Sequence, residues 1–486
     1  MRGLFFFGMR LKVNVGPVNN WQTFRLGSRS FSLHPRGTHV SDADHSRRNF
    51  LFLAAVIGIV ALLLREQFIL LTQVESPIRG DIRQYVAYAL NMVQHGVFSS
   101  ALPGSEVIKP DAFRGPGYPL FLAANMSLAG TGTAAWYYLA LHAQAVLGAA
   151  TVVMGIALGR CWLPRSAALS SGLIMALWPH HIAATGALLS EVVFGFVLML
   201  AMLLAAKAQR APRIGTTVAA GAAFGFAYLI NPVILFFPLI VAFFFWRSGH
   251  AKKAVCILAV SLLFAGAWAV RNATIPPDSI PGRATINLVQ GSWPLYHDAY
   301  LDRFNNPIAK QIMETIDAEA RMVSSDPARG LKLMAERMRE YPAGYVHWYL
   351  VEKPYLLWDW DIRIGAGGDV YFLTSSNSPL ETNAVLHGVK ELFRALNPFL
   401  FLLAIFSTAI ILFRWLAGRS VELSSLLVAI FFVYVTVIHS IFQAEPRYSI
   451  PYRPFELLLA IGAISSLGAW LAARTRRADA VTTSQS

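Results

Sequence analysis

The sequence predicts an all-α membrane protein with about ten transmembrane helices, and three observations support this fold class. Of the 486 residues, 55% are hydrophobic and 14% are charged, whereas about 25% of the residues in a soluble domain are charged. Long apolar segments recur along most of the chain. The Lys and Arg residues, which give a net charge of +14, concentrate in a tail and in short loops. This distribution is typical of membrane topology and predicts no nucleic-acid partner.

The helices expected to cross the membrane follow from the length of the apolar segments, because a span needs about 20 residues. Arg65 and Glu66 interrupt the first segment, and we expect them near its outer end. Asn231-Pro232 divides a later pair, which predicts a tight hairpin or a partly re-entrant unit. The expected helices lie near residues 50–72, 134–158, 166–184, 187–206, 214–231, 233–247, 253–271, 395–415, 422–442 and 452–473.

The basic loops predict which side of the membrane each loop occupies. Cytoplasmic loops carry an excess of Lys and Arg, and the basic loops of this chain share one side if the N terminus lies there too. We therefore predict cytoplasmic termini, an even number of spans and two long extracytoplasmic loops, 73–133 and 272–394. The basic residues concerned are Arg160, Arg165, Lys207, Arg210, Arg213, Arg247, Lys252, Lys253, Arg414, Arg419, Arg474, Arg476 and Arg477.

The same boundaries give the expected domain organisation. In chain order we expect a basic, disordered cytoplasmic tail at 1–48, an N-terminal transmembrane core at 49–271 that includes the first outer loop, a partly helical extracytoplasmic region at 272–394, C-terminal transmembrane helices at 395–473, and a cytoplasmic tail at 474–486.

Both long loops are expected to contain helices. The second contains Asp326-Pro327, an N-cap and first-turn pair that should begin a helix ended by Pro342. The aromatic-rich segment 347–361 should return to the membrane surface, which Trp and Tyr prefer. In the first loop, a helical spacing of apolar residues is typical of a helix in the membrane interface. These residues are Tyr85, Tyr88, Ala89, Met92 and Val93, opposite Arg83, Gln84 and Asn91.

Two acidic residues near the outer ends of apolar segments are candidates for chemistry. Asp81 follows the first span, where partial burial suits a general base for a hydroxyl acceptor. The alternative is an N-cap, because Asp81 precedes a helix. Glu191 lies in an apolar run, and a lone acid there is costly unless it faces a polar cavity. Its alternative is a charge at a helix N terminus in the interface.

Three arginines near the same face are candidates for binding an anion. Arg114, Arg271 and Arg447 supply guanidinium groups, which bind phosphate through two parallel hydrogen bonds. The alternative is snorkelling towards lipid headgroups. Arginines beside two acids on one face favour an anionic, lipid-linked substrate.

The sequence predicts no metal site, although a divalent metal remains an open alternative. His180, His181 and His439 lie near outer ends, but their spacing matches no ligand motif. Cys161 and Cys256 are the only cysteines and cannot build a thiolate site or a disulfide framework. We therefore assign no certain cofactor.

Several short motifs occur in order along the chain. They are G-D-x-x-x-Y-x-x-x-A-x-x-x-x-x-x-G-x-F from Gly80, R-G-P-G-Y-P-L-F-L-A from Arg114, L-S-E-V-V-F around Glu191, W-A-V-R-N at 268–272, L-L-W-D-W-D at 356–361 and E-P-R-Y-S-I-P-Y at 445–452. Over residues 50–473, this set resembles the C-type integral-membrane glycosyltransferases. It is most similar to glycosyltransferase family 39, which includes protein mannosyltransferases and the aminoarabinose transferase of lipid A.

The resemblance implies a role for several residues. It implies that Asp81 deprotonates the acceptor, that Glu191 orients acceptor or donor across the cavity, and that Arg447 holds the donor phosphate. Arg271 and Arg114 are further candidates for the phosphate. Many relatives have a second acid after the first, whereas Ile82 stands here, so a metal role or a dual-acid role is in doubt. Candidates for substrate contacts are Tyr85, Tyr118, Trp358, Asp359, Asp361 and Tyr448.

The expected function is transfer of a sugar from a polyprenyl-phosphate donor to a protein, lipid or glycan acceptor outside the cytoplasm, at the cell (inner) membrane. The resemblance implies inversion at the anomeric carbon. One alternative is a transporter or flippase of an anionic polyprenyl lipid or glycolipid, without chemistry. Another is a structural partner in envelope synthesis, which would tolerate changes at Asp81, Glu191 and Arg447 together.

Overall fold

The computed structural model describes residues 23–26, 29–32, 37–211, 213–275, 282–362 and 375–483. Contacts divide the chain into two compact units, Met1–Phe52 and Leu53–Ser486. In the first unit, strands β1 (Thr23–Leu26) and β2 (Arg29–Ser32) pair antiparallel. The basic tail that was expected to be disordered spans residues 1–48, of which 1–22, 27–28 and 33–36 lie outside the described residues.

The all-α membrane fold is confirmed. Among the described residues, seven helices are long and apolar enough to cross a membrane: Asp44–Leu71, Ala135–Gly159, Glu191–Arg210, Ala251–Ala273, Ala384–Leu416, Leu423–Ile441 and Arg453–Thr475. The shorter apolar helices in the same residues are Arg165–Leu177, Gly215–Ile230 and Pro232–Arg247. Together these ten helices fall where the ten apolar segments were predicted.

The membrane helices carry the following labels. They are α1 (Gly37–Leu71), α4 (Ala135–Gly159), α5 (Arg165–Leu177), α7 (Glu191–Arg210), α8 (Gly215–Ile230), α9 (Phe237–Arg247), α10 (Ala251–Ala273), α18 (Ala384–Leu416), α19 (Leu423–Ile441) and α21 (Arg453–Thr483). Helix α7 packs against α4 and α8, α10 packs against α8 and α9, and α21 packs against α18 and α5.

One expected span is shorter than the apolar pattern suggested. The segment 166–184 was expected to be a single helix, but α5 ends at Leu177 because the backbone of Trp178 is extended, with φ −65° and ψ 115°. A residue before proline is disfavoured in the α region, and Pro179 follows Trp178. The chain continues through the short helix α6 (Pro179–Ala183) and a 3₁₀ turn (Ala184–Gly186) to the start of α7.

The first of the two long loops that were expected outside the cytoplasm, which keeps the name first outer loop, contains helices α2 (Asp81–His95) and α3 (Gly117–Ala129). The expected helix after Asp81 is present, but its faces differ from the expectation. Asn91 is buried because its side-chain amide donates to the carbonyls of Ser99 and Ala101, at 2.8 Å each. Val93 is 37% exposed. A chain that folds back over the helix can satisfy a polar side chain on its inner face.

The second outer loop is a helical unit with its own apolar core. Its helices are α11 (Arg283–Gly291), α12 (Tyr296–Asp302), α13 (Pro307–Ser325), α14 (Pro327–Glu340), α15 (Pro342–His347), a π-helical turn (Trp348–Glu352), α16 (Lys353–Trp358) and α17 (Pro379–Thr382). Val289, Tyr296, Ile316 and Val323 lie in the core. The Asp326 carboxylate accepts from the Arg329 amide at 3.1 Å, so the expected N-cap is present.

The last elements bring the outer loops and the C-terminal helices together. Strands β3 (Gln73–Val74) and β4 (Ser375–Ser376) pair antiparallel and connect the start of the first loop with the end of the second. Between α19 and α21 lies the short helix α20 (Pro446–Ser449), which carries Arg447.

The R-G-P-G-Y turn depends on glycine because of close backbone contact. A Cβ on Gly115 would lie 2.4 Å from the Leu229 carbonyl oxygen, and one on Gly117 would lie 2.8 Å from the Ile230 amide nitrogen. The turn is therefore held against the end of α8, and it places Arg114 at the edge of the outer loop.

We expect Gly115→Ala to destabilise the protein by about 1–3 kcal/mol, the usual cost of overpacking, because the backbone at Leu229 cannot yield as a side chain can. Thermal unfolding of the purified protein in detergent measures this effect. Gly132→Ala is the matched control, since a Cβ there meets nothing within 4 Å. Equal melting temperatures for the two variants would contradict the close-contact explanation.

Candidate active site

Two helix N termini and one short helix position the candidate acids and arginine. Asp81 is the first residue of α2 and Glu191 the first residue of α7, where the positive end of the helix dipole stabilises a carboxylate. Gly80 precedes Asp81 with φ +54°, a left-handed conformation that glycine adopts without strain. Arg447 lies on α20, which Pro446 begins. Local sequence thus places each charge at the end of an element.

Arg447 connects the two carboxylates. Its Nη2 donates to Asp81 Oδ2 at 3.0 Å, and its Nε lies 3.0 Å from Glu191 Oε1. On the other side of Asp81, Arg114 Nη2 donates to Oδ1 at 2.6 Å. We call this alternating set, Arg114, Asp81, Arg447 and Glu191, the arginine–carboxylate row. Because each carboxylate contacts a cation, the row can be largely buried at a cost that the pairing offsets.

The row holds Asp81 ionised. Burial by itself opposes ionisation of Asp81, but the nearby Arg114, Arg447 and Arg283 together outweigh burial and hold the pKa of this carboxyl well below its usual range. In the conformation described, Asp81 therefore carries its negative charge at any physiological pH. Such a carboxylate is a poor acceptor of protons while both arginines contact it.

Arg114 is fixed by the helix that it faces. The Gln84 side-chain oxygen accepts from Arg114 Nε at 2.9 Å and from Nη2 at 2.6 Å. The Tyr85 hydroxyl accepts from Nη1 at 3.4 Å, and the guanidinium carbon lies 4.9 Å from the Tyr85 ring centroid. Tyr118 packs edge-on against Tyr85 at 5.0 Å, and its hydroxyl donates to Gln144 at 2.9 Å. Tyr85 thus borders the row, whereas Tyr118 supports it from behind.

Tyr448 lies beside the row. The Arg447 guanidinium carbon is 5.5 Å from its ring centroid, and its hydroxyl donates to the Gln443 side-chain oxygen at 3.2 Å. Burial raises the pKa of the Tyr448 phenol. In the same loop, Glu445 Oε2 lies 3.1 Å from His297 Nε2, and both side chains are buried. This pair attaches the second outer loop next to Arg447.

Arg271 lies apart from the carboxylates. Its Nη1 donates to the Asp111 carbonyl at 2.5 Å and its Nη2 to the Phe98 carbonyl at 3.2 Å. The guanidinium also stacks on Phe98 and Trp268 at 5.2 and 4.9 Å. Its contacts shape the first outer loop, and a phosphate-binding role for Arg271 stays a prediction.

The three candidates in the L-L-W-D-W-D segment form a different set of contacts. Trp358 is buried and donates from Nε1 to Thr436 Oγ1 at 2.9 Å. The carbonyls of Trp358 and Asp359 accept from Arg453 Nη2 at 2.9 and 2.6 Å. Asp361 pairs with Arg394 at 3.0 Å on the surface. These contacts attach the second loop to α18 and α21, and substrate binding by this segment stays a prediction.

Several residues of the site were not anticipated. Gln84 follows Asp81 at a helical spacing of three, so its place on the same face of α2 was available from the pattern. Arg283 influences Asp81 from the second loop and lies in no motif. Arg65 was expected near a helix end, but it is 1% exposed and lines a cavity with Glu191. The surroundings of Arg283 and Arg65 depend on tertiary packing alone.

The residues do not fit a divalent cation. Among the described residues, no group of three or more His, Cys, Asp and Glu side chains is placed to hold a metal. The carboxylates of the row already have arginine as their counter-ion. His180 and His181 contact the carbonyls of Trp360 and Ile450 at 3.0 Å each, and His439 Nδ1 contacts that of Gln443 at 2.9 Å.

Comparison with known proteins finds similarity in structure only. No family model matches the chain, and no curated protein matches its sequence. The oligosaccharyltransferase AglB from Archaeoglobus fulgidus, in complex with an inhibitory peptide and a dolichol-phosphate, is 15% identical with a TM-score of 0.45; the match covers 90% of this chain and 52% of that one. ArnT from Cupriavidus metallidurans, bound to undecaprenyl phosphate, is 15% identical with a TM-score of 0.34; the match covers 85% and 77%.

Both similar structures are described with a polyprenyl-type phosphate lipid, dolichol-phosphate in the first and undecaprenyl phosphate in the second. The chain spans about half the length of the AglB chain. Because the TM-scores are low, the functional proposal rests on the side chains of the row and not on this similarity.

We expect Arg447→Met to destabilise the protein by about 3–5 kcal/mol, because it leaves buried Glu191 without its cation. Adding Glu191→Gln should recover part of this loss, since the unpaired charge is then removed. Thermal unfolding of the single and double variants measures both effects. The control is Arg210→Met, whose pair with Glu422 is exposed and contributes about 0–1 kcal/mol. Equal losses at Arg447 and Arg210 would contradict a buried pair.

Proposed function

We propose that this protein is an integral-membrane glycosyltransferase that transfers a sugar from a polyprenyl-phosphate donor to an acceptor on the extracytoplasmic face. The observation that carries the proposal is the arginine–carboxylate row, in which Arg447 contacts Asp81 and Glu191 at 3.0 Å each. A base and a phosphate ligand must lie this close together to act on one glycosyl phosphate.

The negative charge that develops on the leaving group explains why arginines lie at the site. When the bond between the anomeric carbon and the phosphate oxygen breaks, its electron pair stays with the phosphate, whose negative charge increases. A guanidinium aimed at that oxygen stabilises the charge as it develops. Arg447 is the first choice for this role, because it lies between the two acids. Arg114 contacts Asp81 from the opposite side and is the second choice.

The proton from the acceptor goes to Asp81. The acceptor oxygen attacks the anomeric carbon while polyprenyl phosphate departs from the other face, so a single displacement inverts the configuration. The acceptor loses one proton, and Asp81 gains it. Glu191 Oε1 contacts Arg447 and stays the counter-ion of the guanidinium when Arg447 turns towards the phosphate. The products are the glycosylated acceptor and the free polyprenyl phosphate.

Asp81 becomes a competent base only when the donor binds. While Arg114 and Arg447 both contact it, the pKa of Asp81 is well below its usual range. A donor phosphate competes for Arg447, because guanidinium binds phosphate through two charge-assisted hydrogen bonds. Once Arg447 turns towards the phosphate, burial of Asp81 is less fully offset and its pKa rises. Donor binding therefore prepares the base, and Asp81 stays neutralised by arginine in the empty enzyme.

The membrane fold fits such a donor. A polyprenyl tail stays among the apolar helices while its phosphate reaches the outer loops that carry Asp81 and Arg114. We place the protein in the cell (inner) membrane as a multi-pass protein with both termini in the cytoplasm, because the basic loops share that side. Its partners are the lipid-linked donor and a protein, lipid or glycan acceptor. A transporter or flippase of the same lipid, without chemistry, is the alternative to be tested.

We expect Asp81→Asn to lower turnover by about 10²–10⁴-fold, the usual contribution of a general base, and to leave donor binding largely intact. Release of sugar from a radiolabelled polyprenyl-phosphate donor in reconstituted vesicles measures turnover. Asp298→Asn, an exposed carboxylate on α12, is the matched control and should keep wild-type activity. Lipid movement that survives Asp81→Asn, with no sugar release by the wild type, would favour the transporter.

The pH dependence should differ between the free and the donor-bound enzyme. A base acts when deprotonated, so activity falls as the pH drops through its pKa. For kcat/KM of the donor, which reports the free enzyme, the strongly lowered pKa of Asp81 predicts no loss across mildly acidic pH. The kcat profile should fall at a higher pH, because Arg447 has turned to the phosphate.

The Arg114→Met variant tests the same effect of the arginines on the pKa of Asp81. Removing one of the cations that lower the pKa of Asp81 should shift the acid limb of kcat/KM to higher pH. Steady-state rates between pH 4 and 9, about the range over which a carboxyl and its neighbours titrate, measure both profiles. Superimposable acid limbs for kcat and kcat/KM would rule out preparation of the base by the donor.

A further inference from the structure

The helical segment 342–358 contains a π-helical turn at the place where it meets α11 and α19. In this turn, Trp348–Glu352, the Lys353 amide donates to the Trp348 carbonyl five residues earlier. Residues five apart point about 140° away from each other in a regular α-helix, which has 3.6 residues per turn. The wider turn brings Trp348 and Lys353 to one face, and both are buried. Single π-helical turns are rare and are frequent at functional positions.

Pro354 gives a local reason for the irregular turn. A proline inside a helix has no backbone N–H to donate, and its ring clashes with the carbonyl four residues earlier. The regular hydrogen-bond pattern is therefore interrupted at such a residue, and here the π-helical turn ends immediately before Lys353-Pro354. The sequence itself thus prepares an unusual position for Lys353.

Trp348 and Lys353 converge on one backbone carbonyl. Trp348 Nε1 donates to the Gly291 carbonyl at 3.0 Å, and Lys353 Nζ donates to the same oxygen at 2.8 Å. The ammonium also donates to the Phe442 carbonyl at 2.5 Å. Lys353 is 0% exposed, and within the described part of the chain its hydrogen bonds go to these two carbonyls. Lys353 therefore joins two segments that are far apart in the sequence.

Both carbonyls lie at the C-terminal ends of helices. Gly291 is the last residue of α11, and Phe442 is the C-cap of α19. The last carbonyls of a helix have no partner within it, and they carry the negative end of the helix dipole. A Cβ on Gly291 would overlap the Phe442 carbonyl, so the two negative ends are in backbone contact. One ammonium between them offsets their repulsion and satisfies both carbonyls.

Phe442 begins the segment that carries Arg447. Only residues 443–446 separate the two, and the side chain of Gln443 accepts from the Tyr448 hydroxyl at 3.2 Å. The segment is thus short and cross-connected, so a displacement of Phe442 is passed on to the guanidinium that contacts both acids of the arginine–carboxylate row.

We propose that Lys353 is a positioning residue: by joining the ends of α11 and α19, it fixes Arg447 beside the two carboxylates of the row. This inference rests on the proposed function, because it concerns the arginine that is assigned there to the donor phosphate. Lys353 donates to backbone carbonyls and to no member of the row. It acts through the backbone, and it gives the second outer loop control over the geometry of the site.

Hydrogen–deuterium exchange tests the positioning without requiring turnover. Lys353→Met keeps a side chain of similar length and removes both hydrogen bonds. In lipid nanodiscs, amides of the peptide covering 442–449 should exchange about tenfold faster than in the wild type, because the loss of hydrogen bonds from a charged group favours local opening.

The pH profile of transfer tests the consequence for the base. Arg447 is one of the cations that lower the pKa of Asp81, and Arg114 and Arg283 are the others. If Lys353→Met displaces Arg447, the pKa of Asp81 rises. The acid limb of kcat/KM should then move to higher pH, since the base acts when deprotonated. Misplacement of the guanidinium should also lower kcat, by up to about 10²-fold.

Two further variants keep the test decisive. Gly291→Ala forces the Phe442 carbonyl away while Lys353 is retained, so it should change exchange and the acid limb in the same direction even if Lys353→Met folds poorly. Ile316→Ala is the matched control, because Ile316 is fully buried in the apolar core of the same loop. It should lower the melting temperature and leave the exchange of 442–449 and the acid limb as in the wild type.

Three outcomes would overturn the inference. The first is wild-type exchange of 442–449 in both Lys353→Met and Gly291→Ala. The second is an acid limb that stays in place in both variants while the wild type transfers sugar, which leaves the proposed function intact. The third is an equal effect of Ile316→Ala, which would reduce Lys353 to general stability of the loop. Absence of sugar transfer by the wild type would instead reject the proposed function, and the exchange measurement would still decide whether Lys353 fixes the segment.

Discussion

The structure of the site depends on one guanidinium group that two carboxylates share. Asp81 and Arg447 are 366 positions apart in the chain, yet Arg447 contacts Asp81 and Glu191 at once. Burying two acids near a membrane surface requires cations in contact with them. This requirement brings the first outer loop, the start of α7 and the loop before α21 together. Any reaction at Asp81 therefore changes an interaction that also stabilises the fold, and a ligand for Arg447 changes the protonation behaviour of Asp81.

The segment that carries Arg447 is itself held by the second outer loop. Lys353 is completely buried, and its Nζ donates to the carbonyls of Gly291 at 2.8 Å and Phe442 at 2.5 Å. Burial lowers the pKa of Lys353 to about 7. Gly291 permits this approach, since a Cβ there would overlap the Phe442 carbonyl. Together with the pair of His297 and Glu445, these contacts attach the second loop to the segment between α19 and α20.

The candidates from the sequence separate into two groups for physical reasons. Asp81, Glu191 and Arg447 come together because each lies at an element end that faces the same polar region. Arg271 and the L-L-W-D-W-D segment carry equally suitable chemistry, but other groups contact them. Backbone carbonyls accept from Arg271, the Trp360 amide donates to the Asp359 carboxylate, and Arg394 pairs with Asp361. A short motif shows which groups are present and cannot show which partner satisfies them. Arg65 belongs to none of the short motifs, so the sequence did not mark it as a site residue. The cavity that it lines forms only where several helices pack together.

The sequence by itself determined the ten apolar helices, the helical character of both outer loops and the location of Asp81 and Glu191 at helix starts. These features are local, because apolar length, capping residues and proline act within a few residues. Even there, Pro179 shortened one expected span by holding Trp178 extended, and Asn91 turned inward to meet carbonyls of its own loop. Only the tertiary structure decided that Arg447 binds both acids, that Arg271 does not, and that Arg65 and Glu191 line one cavity. Contacts between distant segments depend on how whole helices pack, and no periodicity in a single chain encodes that arrangement.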